Sequence, residues 1–200
     1  MQTPAMTHQE LCSAAAKCLV SRFKCHFAIT DLTTYAGEKP DAIGFKGDVS
    51  IVIEAKVSRA DFLADKKKYY RKEGNGMGDH RFYICPTDMI KVEELPAGWG
   101  LIYFNGKKSR VIHCISTRER GNWHSDGTVT NKRTEFDPYE NRLNKSTLSE
   151  LTFLCSVVRR YANNCEYIKT KTIVDGKFLP FTRGKTDPSF EITGELKEML

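Results

Sequence analysis

Apolar side chains recur at helical spacing near the start of the chain, with Leu11, Ala14, Ala15, Cys18 and Leu19 on one stripe. Thr7-His8-Gln9-Glu10 precedes them as a capping box, Thr7 being the N-cap and Glu10 reaching back to it. The spacing predicts a helix to about Phe23. Three strands are predicted next, over residues 25–32, 41–45 and 49–57, separated by turns at Gly37 and at Lys46-Gly47-Asp48. The run Val49-Ser50-Ile51-Val52-Ile53 is β-branched and nearly continuous, as in a strand buried on both faces. Ser58-Arg59-Ala60-Asp61 is a second capping box and opens a helix expected over about 59–72, closed by the loop Gly74–Gly78. A strand over 80–85 stops at Pro86, and further strands are predicted near 101–104 and 110–116.

Beyond that point the pattern weakens. Residues 117–145 are polar without clear periodicity, and so long an irregular stretch is usually functional, mobile or hiding short elements. Ser146 or Thr147 caps a helix to about Tyr161, with Leu148, Leu151, Leu154, Cys155 and Val158 as its apolar stripe. In the tail, Asp175-Gly176 separates Ile173-Val174 from Phe178-Leu179 as in a hairpin.

The 200 residues, 40% apolar and 28% charged, suit one globular domain with a real core. A formal charge of +6 permits a polyanionic partner without demanding one. No apolar stretch approaches the roughly 18 residues of a membrane span, so no membrane association is expected. Residues 1–8 lack a basic region followed by an apolar signal core. The seven cysteines are odd in number, form no Cys-x-x-Cys and sit mostly in apolar segments. They read as reduced, buried thiols of a cytoplasmic protein.

The chemistry concentrates around the third strand. Side chains alternate across a strand, so Glu54 and Lys56 share one face while Ala55 takes the other. A carboxylate at the end of a buried strand is costly unless a cation neutralises it. Lys56 is one candidate, and a divalent metal shared with Asp41 is the other; Mg²⁺ typically takes one or two protein carboxylates and keeps several waters. An acid at a turn followed by Glu-x-Lys on a strand is the arrangement of a metal-dependent phosphodiesterase, and a nuclease is the leading reading. A solvated Glu–Lys pair is the plain alternative.

The segment Ile53-Glu54-Ala55-Lys56-Val57-Ser58-Arg59-Ala60-Asp61-Phe62-Leu63-Ala64-Asp65-Lys66 resembles the MmcB-like DNA-repair family of the PD-(D/E)XK nuclease superfamily. The resemblance continues through Tyr69 or Tyr70, Arg81-Phe82-Tyr83, Pro86 and Leu95-Pro96-Ala97-Gly98-Trp99-Gly100-Leu101-Ile102, over about residues 40–103. It implies an α/β (α+β) fold with a restriction-endonuclease-like core. In such a core, helix, three strands, helix and strand build a central mixed sheet flanked by helices. Residues 1–116 would be that core and 117–200 a helical or irregular C-terminal extension packed on the same domain. It also implies Asp41 and Glu54 as metal ligands, joined by the Ala55 backbone carbonyl, with Mg²⁺ or Mn²⁺ as cofactor. Lys56 would face the scissile phosphate or the attacking water. DNA is the implied substrate, in repair or processing. Glu10 lies where the superfamily often carries an additional acid, although capping alone accounts for it.

Lys66, Lys67, Lys68, Tyr70 and Arg71 pack cations around aromatic residues and are the expected nucleic-acid contacts. Asp61 and Asp65 form an acidic stripe in the same segment that would face Arg or Lys instead. Arg118, Arg120, Lys132 and Arg133, near Trp123 and His124, are a second basic set. Two other classes stay open: a nucleic-acid-binding module that keeps the fold and cleaves nothing, and a host-interaction protein such as a small phage-encoded factor.

Overall fold

The computed structural model describes residues 6–34, 37–72, 74–125 and 128–164, with two short strands at 172–174 and 177–179. The chain forms two compact units, Met1–Phe153 and Leu154–Leu200; residue 116, the expected division, lies inside the first.

Helix α1 (His8–Ser21) opens on the capping box read from the sequence, with Thr7 accepting from the Glu10 amide and Glu10 accepting from Thr7. Strands β1 (Phe27–Thr30), β2 (Ala42–Lys46) and β3 (Val49–Ala55) form an antiparallel meander. Helix α2 (Arg59–Asp65) crosses to β4 (His80–Pro86), which pairs parallel with β3 and with β5 (Trp99–Phe104). Strand β6 (Ser109–His113) closes the edge antiparallel to β5, giving a six-stranded sheet in the order β1-β2-β3-β4-β5-β6. This is an α+β fold with a central mixed sheet flanked by helices, and it fits a restriction-endonuclease-like core.

Every residue of β3 is buried, as its unbroken apolar run requires. On one face α1 lays Leu11, Ala15, Cys18 and Leu19 against Val49, Ile51, Ile53 and Ala55. The helix comes very close at Gly44 of β2, where a Cβ would stand 2.8 Å from the Cys25 Sγ and 3.2 Å from the Leu19 Cβ. On the other face Phe62 of α2 packs with Tyr83, Ile90, Trp99 and Leu101. Burying one such side chain fully contributes about 1.5–3 kcal/mol, so these two cores fix the sheet end from which Glu54 and Lys56 project.

Two expectations need correction. The second helix ends at Asp65, not near Lys72, and a 3₁₀ turn follows at Tyr69–Arg71 after an extended Lys68. Residues six apart lie on different faces of a continuous α-helix. Only a break lets Arg71 fold back onto Asp65. Residues 117–145 are not wholly irregular either: β7 (Thr117–Trp123) and β8 (Val129–Phe136) form an antiparallel hairpin. Helix α3 (Thr147–Asn164) starts where Ser146 caps it through the Ser149 amide, and strands β9 (Thr172–Val174) and β10 (Lys177–Leu179) pair antiparallel. Their expected turn residues, Asp175-Gly176, lie outside the described residues. Among the described residues no helix is long and apolar enough to cross a membrane.

Candidate functional site

Asp41 immediately precedes β2, and the register Ala42↔Ile53 brings it level with the end of β3. One Asp41 oxygen accepts from the Ala55 amide at 2.8 Å, and the other lies 3.2 Å from His8 Nε2 on α1. Asp41 is the partly open residue of the site, with 18% of its side chain accessible, whereas Glu54 and Lys56 are each 3% accessible. Lys56 Nζ stands 3.6 Å from Glu54 Oε2 and 3.2 Å from Asp65 Oδ1. The strand parity of Glu54 and Lys56 therefore holds in three dimensions.

Arg71 is the centre of the arrangement. Its side chain is buried, and its guanidinium reaches Glu54 Oε2 at 2.9 Å, Glu38 Oε1 at 3.0 Å and both oxygens of Asp65 at 2.6 and 2.9 Å. Tyr83 donates its hydroxyl to Asp65 at 2.9 Å, and Lys68 approaches the same carboxylate at 2.9 Å. Glu38 also accepts from the Met77 amide. Three buried carboxylates thus share two buried cations, with Lys56 and Arg71 held between them. A planar fork with several donors suits this multidentate role better than an ammonium would.

One atom is left over. Glu54 Oε1 is buried and has no hydrogen-bond partner. Burial pushes the Glu54 carboxyl up to about 7; Arg71 and Lys56 pull it down, and the charges of Asp41 and Asp65 push it up. Burial opposes ionisation of Asp65 as well, but Arg71, Lys56 and Lys68 hold it well below the usual carboxylate range. The two acids thus sit in opposite regimes: Asp65 is a fixed anion that anchors cations, and Glu54 is an under-compensated one. An orphaned, buried carboxylate oxygen on a strand end level with Asp41 is what a small divalent cation would satisfy, so this donor set fits a metal.

The other expected residues are placed differently. Glu10 spends its carboxylate on Thr7, and that bonding lowers its pKa; from the same helix it is His8 that meets Asp41. Cys12 lies one turn further, its Sγ 3.5 Å from His8 Nδ1, so nitrogen, sulfur and oxygen donors adjoin at Asp41. Burial pushes the Cys12 thiol up to about 12. Arg71 faces inward and is not available to a nucleic acid in solvent. Lys68 is paired with Asp65, and Lys66 donates to the Glu94 carbonyl while lying 4.6 Å over the Phe62 ring. Lys67 is exposed, and Tyr70 is half-buried. The second basic set is largely paired: Arg120 and Arg133 both contact Glu135, at 3.3 and 2.7 Å, and Arg118 contacts Asp137 at 3.4 Å.

From the sequence Arg71 is an expected nucleic-acid contact, and its pairing with Glu38 escapes a reading by spacing because the two lie 33 residues apart and no local pattern couples them. Asp65 carried a signal, as an acid within a basic run.

No protein-family model matches the sequence, and no curated protein matches it. Among solved structures, a protein of unknown function from Silicibacter pomeroyi is similar over 81% of this chain and 94% of its own, with 19% identity and a TM-score of 0.48.

Proposed function

We propose that this protein is a divalent-metal-dependent nuclease hydrolysing phosphodiester bonds in DNA, of the MmcB-like, PD-(D/E)XK kind that its sequence resembles. The observation that carries the reading is the orphaned, buried Glu54 Oε1, on a carboxylate that feels the charge of Asp41. Asp41, Glu54 and the Ala55 carbonyl would hold Mg²⁺ or Mn²⁺. When bound, such an ion supplies Lewis acidity toward a phosphoryl oxygen and lowers the pKa of a coordinated water.

The chain's own residues do the rest. Lys56 offers an ammonium to the charge that develops on a phosphoryl oxygen, where a fixed cation in a water-poor site is worth most. Asp65 and Glu54 aim that ammonium, and Arg71 keeps Asp65 ionised and in place. Asp65, Glu38 and Arg71 are positioning residues. The way in lies at the partly open Asp41 and the exposed His8.

A second reading has its own support. Glu38, Glu54 and Asp65 are already compensated by Lys56 and Arg71, as in a structural ion network of a binding module that cleaves nothing. Incubating the purified protein with single-stranded, duplex and branched DNA, with and without Mn²⁺, separates the two. The nuclease reading expects Mn²⁺-dependent cleavage that falls 10²-fold or more in Lys56→Ala. Lys56→Arg would recover little, because a planar fork replaces a compact charge poorly. Full activity of Lys56→Ala at saturating Mn²⁺, or no cleavage of any substrate by wild type, favours the structural network.

A further inference from the structure

Along α1, two clefts adjoin at Arg22. The first, about 660 Å³, runs between α1 and the β5–β6 turn and carries Lys17, Arg22, Lys107 and Lys108. The second, about 550 Å³, continues past the end of α1 and carries Lys24, Lys46 and Arg118. Lys17, Lys24, Lys107 and Lys108 are exposed, and none of the six residues other than Arg118 makes an ion pair among the described residues. The acids that line the clefts are engaged elsewhere. Glu10 is bound to Thr7 in the first, and Glu135 is bound to Arg120 and Arg133 in the second. Arg118 touches Asp137 through Nη1 and leaves its buried Nε without a partner.

Most cations in the segment expected to bind nucleic acid are neutralised by neighbours; apart from Arg118, the cations of these clefts make no ion pair among the described residues. Salt screens the repulsion among these mostly exposed cations, and an anion that spans several at once relieves it further. The clefts are of small-ligand size, within the roughly 300–1,000 Å³ of such sites, which suits the bases and phosphates of a single strand. Phe104, partly buried and packed against the core, also lines the first cleft. A positive groove with an aromatic wall is the combination that holds a single nucleic-acid strand, phosphates on the cations and a base against the ring.

We infer that these clefts form one track for single-stranded nucleic acid, entered beside the N-terminus of α1 and passing Arg22. The inference rests on the nucleic-acid reading proposed above but not on cleavage. The track begins at Thr7 and Gln9, the neighbours of His8, so a strand lying in it would run toward the Asp41 lip of the candidate site.

The test is fluorescence anisotropy with a labelled polythymidine strand, in chelator, across a salt series. Each phosphate neutralised on a single strand contributes about 0.7 to the slope of log affinity against log salt. The double variant Lys107→Glu/Lys108→Glu is expected to weaken binding at least tenfold and to reduce that slope by about 1.4. Lys17→Glu should act in the same direction. Phe104→Leu keeps an apolar residue in the wall and should cost about 5-fold or more by removing the stacking surface. Thermal melts confirm that each variant is folded. Unchanged binding in both charge variants overturns the track, as does loss confined to Lys67→Glu in the segment first expected to bind. Tighter binding to a duplex of the same length overturns the single-strand assignment. Mn²⁺-dependent cleavage is scored separately, so a wild type that binds in the clefts and cleaves nothing refutes the nuclease reading and leaves the track standing.

Discussion

Glu54 and Arg71 respond to opposite pressures. Arg71 satisfies three carboxylates from a buried position, and deleting it would leave Glu38, Glu54 and Asp65 with Lys56 as their main buried cation. Breaking a buried ion pair typically costs about 3–5 kcal/mol, and Arg71→Ala is expected to lose that much in urea denaturation. Arg71→Lys should recover only part of it, since one ammonium cannot reproduce the forked contacts. A loss below about 1 kcal/mol would show that the network is not what holds this sheet end. Glu54 behaves the other way. Its carboxyl is raised from 4.5 to about 7, chiefly by burial, so between these values the folded protein holds a proton that the unfolded chain has released. Metal-free stability therefore declines as pH rises through that window. Glu54→Gln removes the titration and should be more stable than wild type near pH 8, by on the order of 1–3 kcal/mol, with the difference vanishing below about pH 4.5. Denaturation curves at both ends of the window check the sign; a variant destabilised equally at both would mean that the Arg71 contact outweighs burial.

At the scale of elements, α1 is placed by Gly44 and in turn places His8 beside Asp41. A Cβ at residue 44 would meet both Cys25 and Leu19 closely enough that something must shift. Gly44→Val is expected to cost about 1–3 kcal/mol by overpacking. It should also speed amide exchange in α1 relative to β4 and β5, which hydrogen exchange would resolve; uniform protection across the sheet and helix would mean that α1 adjusts without loosening. The elements differ in how readable they were. Both α1 and β3 announce themselves, one by a capping box followed by a stripe and the other by an unbroken β-branched run. The β7–β8 hairpin does not, because Arg118–Arg120 and the Arg133–Glu135 they pair with are polar on both faces, so no alternation marks a core side. The early end of α2 was hidden for a different reason. Nothing local in Lys66–Lys72 opposes a helix; the break follows from Arg71 turning back to acids on three other segments. Asp41, Glu54 and Lys56 were legible because turn position and strand parity are local properties. The network that aims them is tertiary, and spacing alone does not contain it.

For the whole molecule, the excess of 31 basic over 25 acidic residues is unevenly spread. Cations that make no ion pair among the described residues line the clefts along α1, while Glu38, Glu54 and Asp65 gather inside with Asp41 at the lip, and a site of that composition repels a phosphate unless a cation joins it. An ion held as proposed would bind the folded state alone, since the unfolded chain does not bring Asp41 and Glu54 to one sheet end. Mass action then requires that Mn²⁺ stabilise the protein by about 2.7 kcal/mol at a hundredfold excess over its dissociation constant. For a chain of this length that corresponds to a rise of roughly 5–10 °C in Tm. Wild type should show this rise on titration of the chelated protein, and Asp41→Asn and Glu54→Gln should each lose most of it. Cys12→Ser provides the contrast. If the ion sits between Asp41 and Glu54, this variant keeps the full shift. If it sits among His8, Cys12 and Asp41, where the three donor atoms already lie within 4.8 Å of one another, the serine variant loses the shift and Glu54→Gln retains it. That second pattern would separate the metal from Glu54 and remove the orphaned oxygen as the basis for a nuclease.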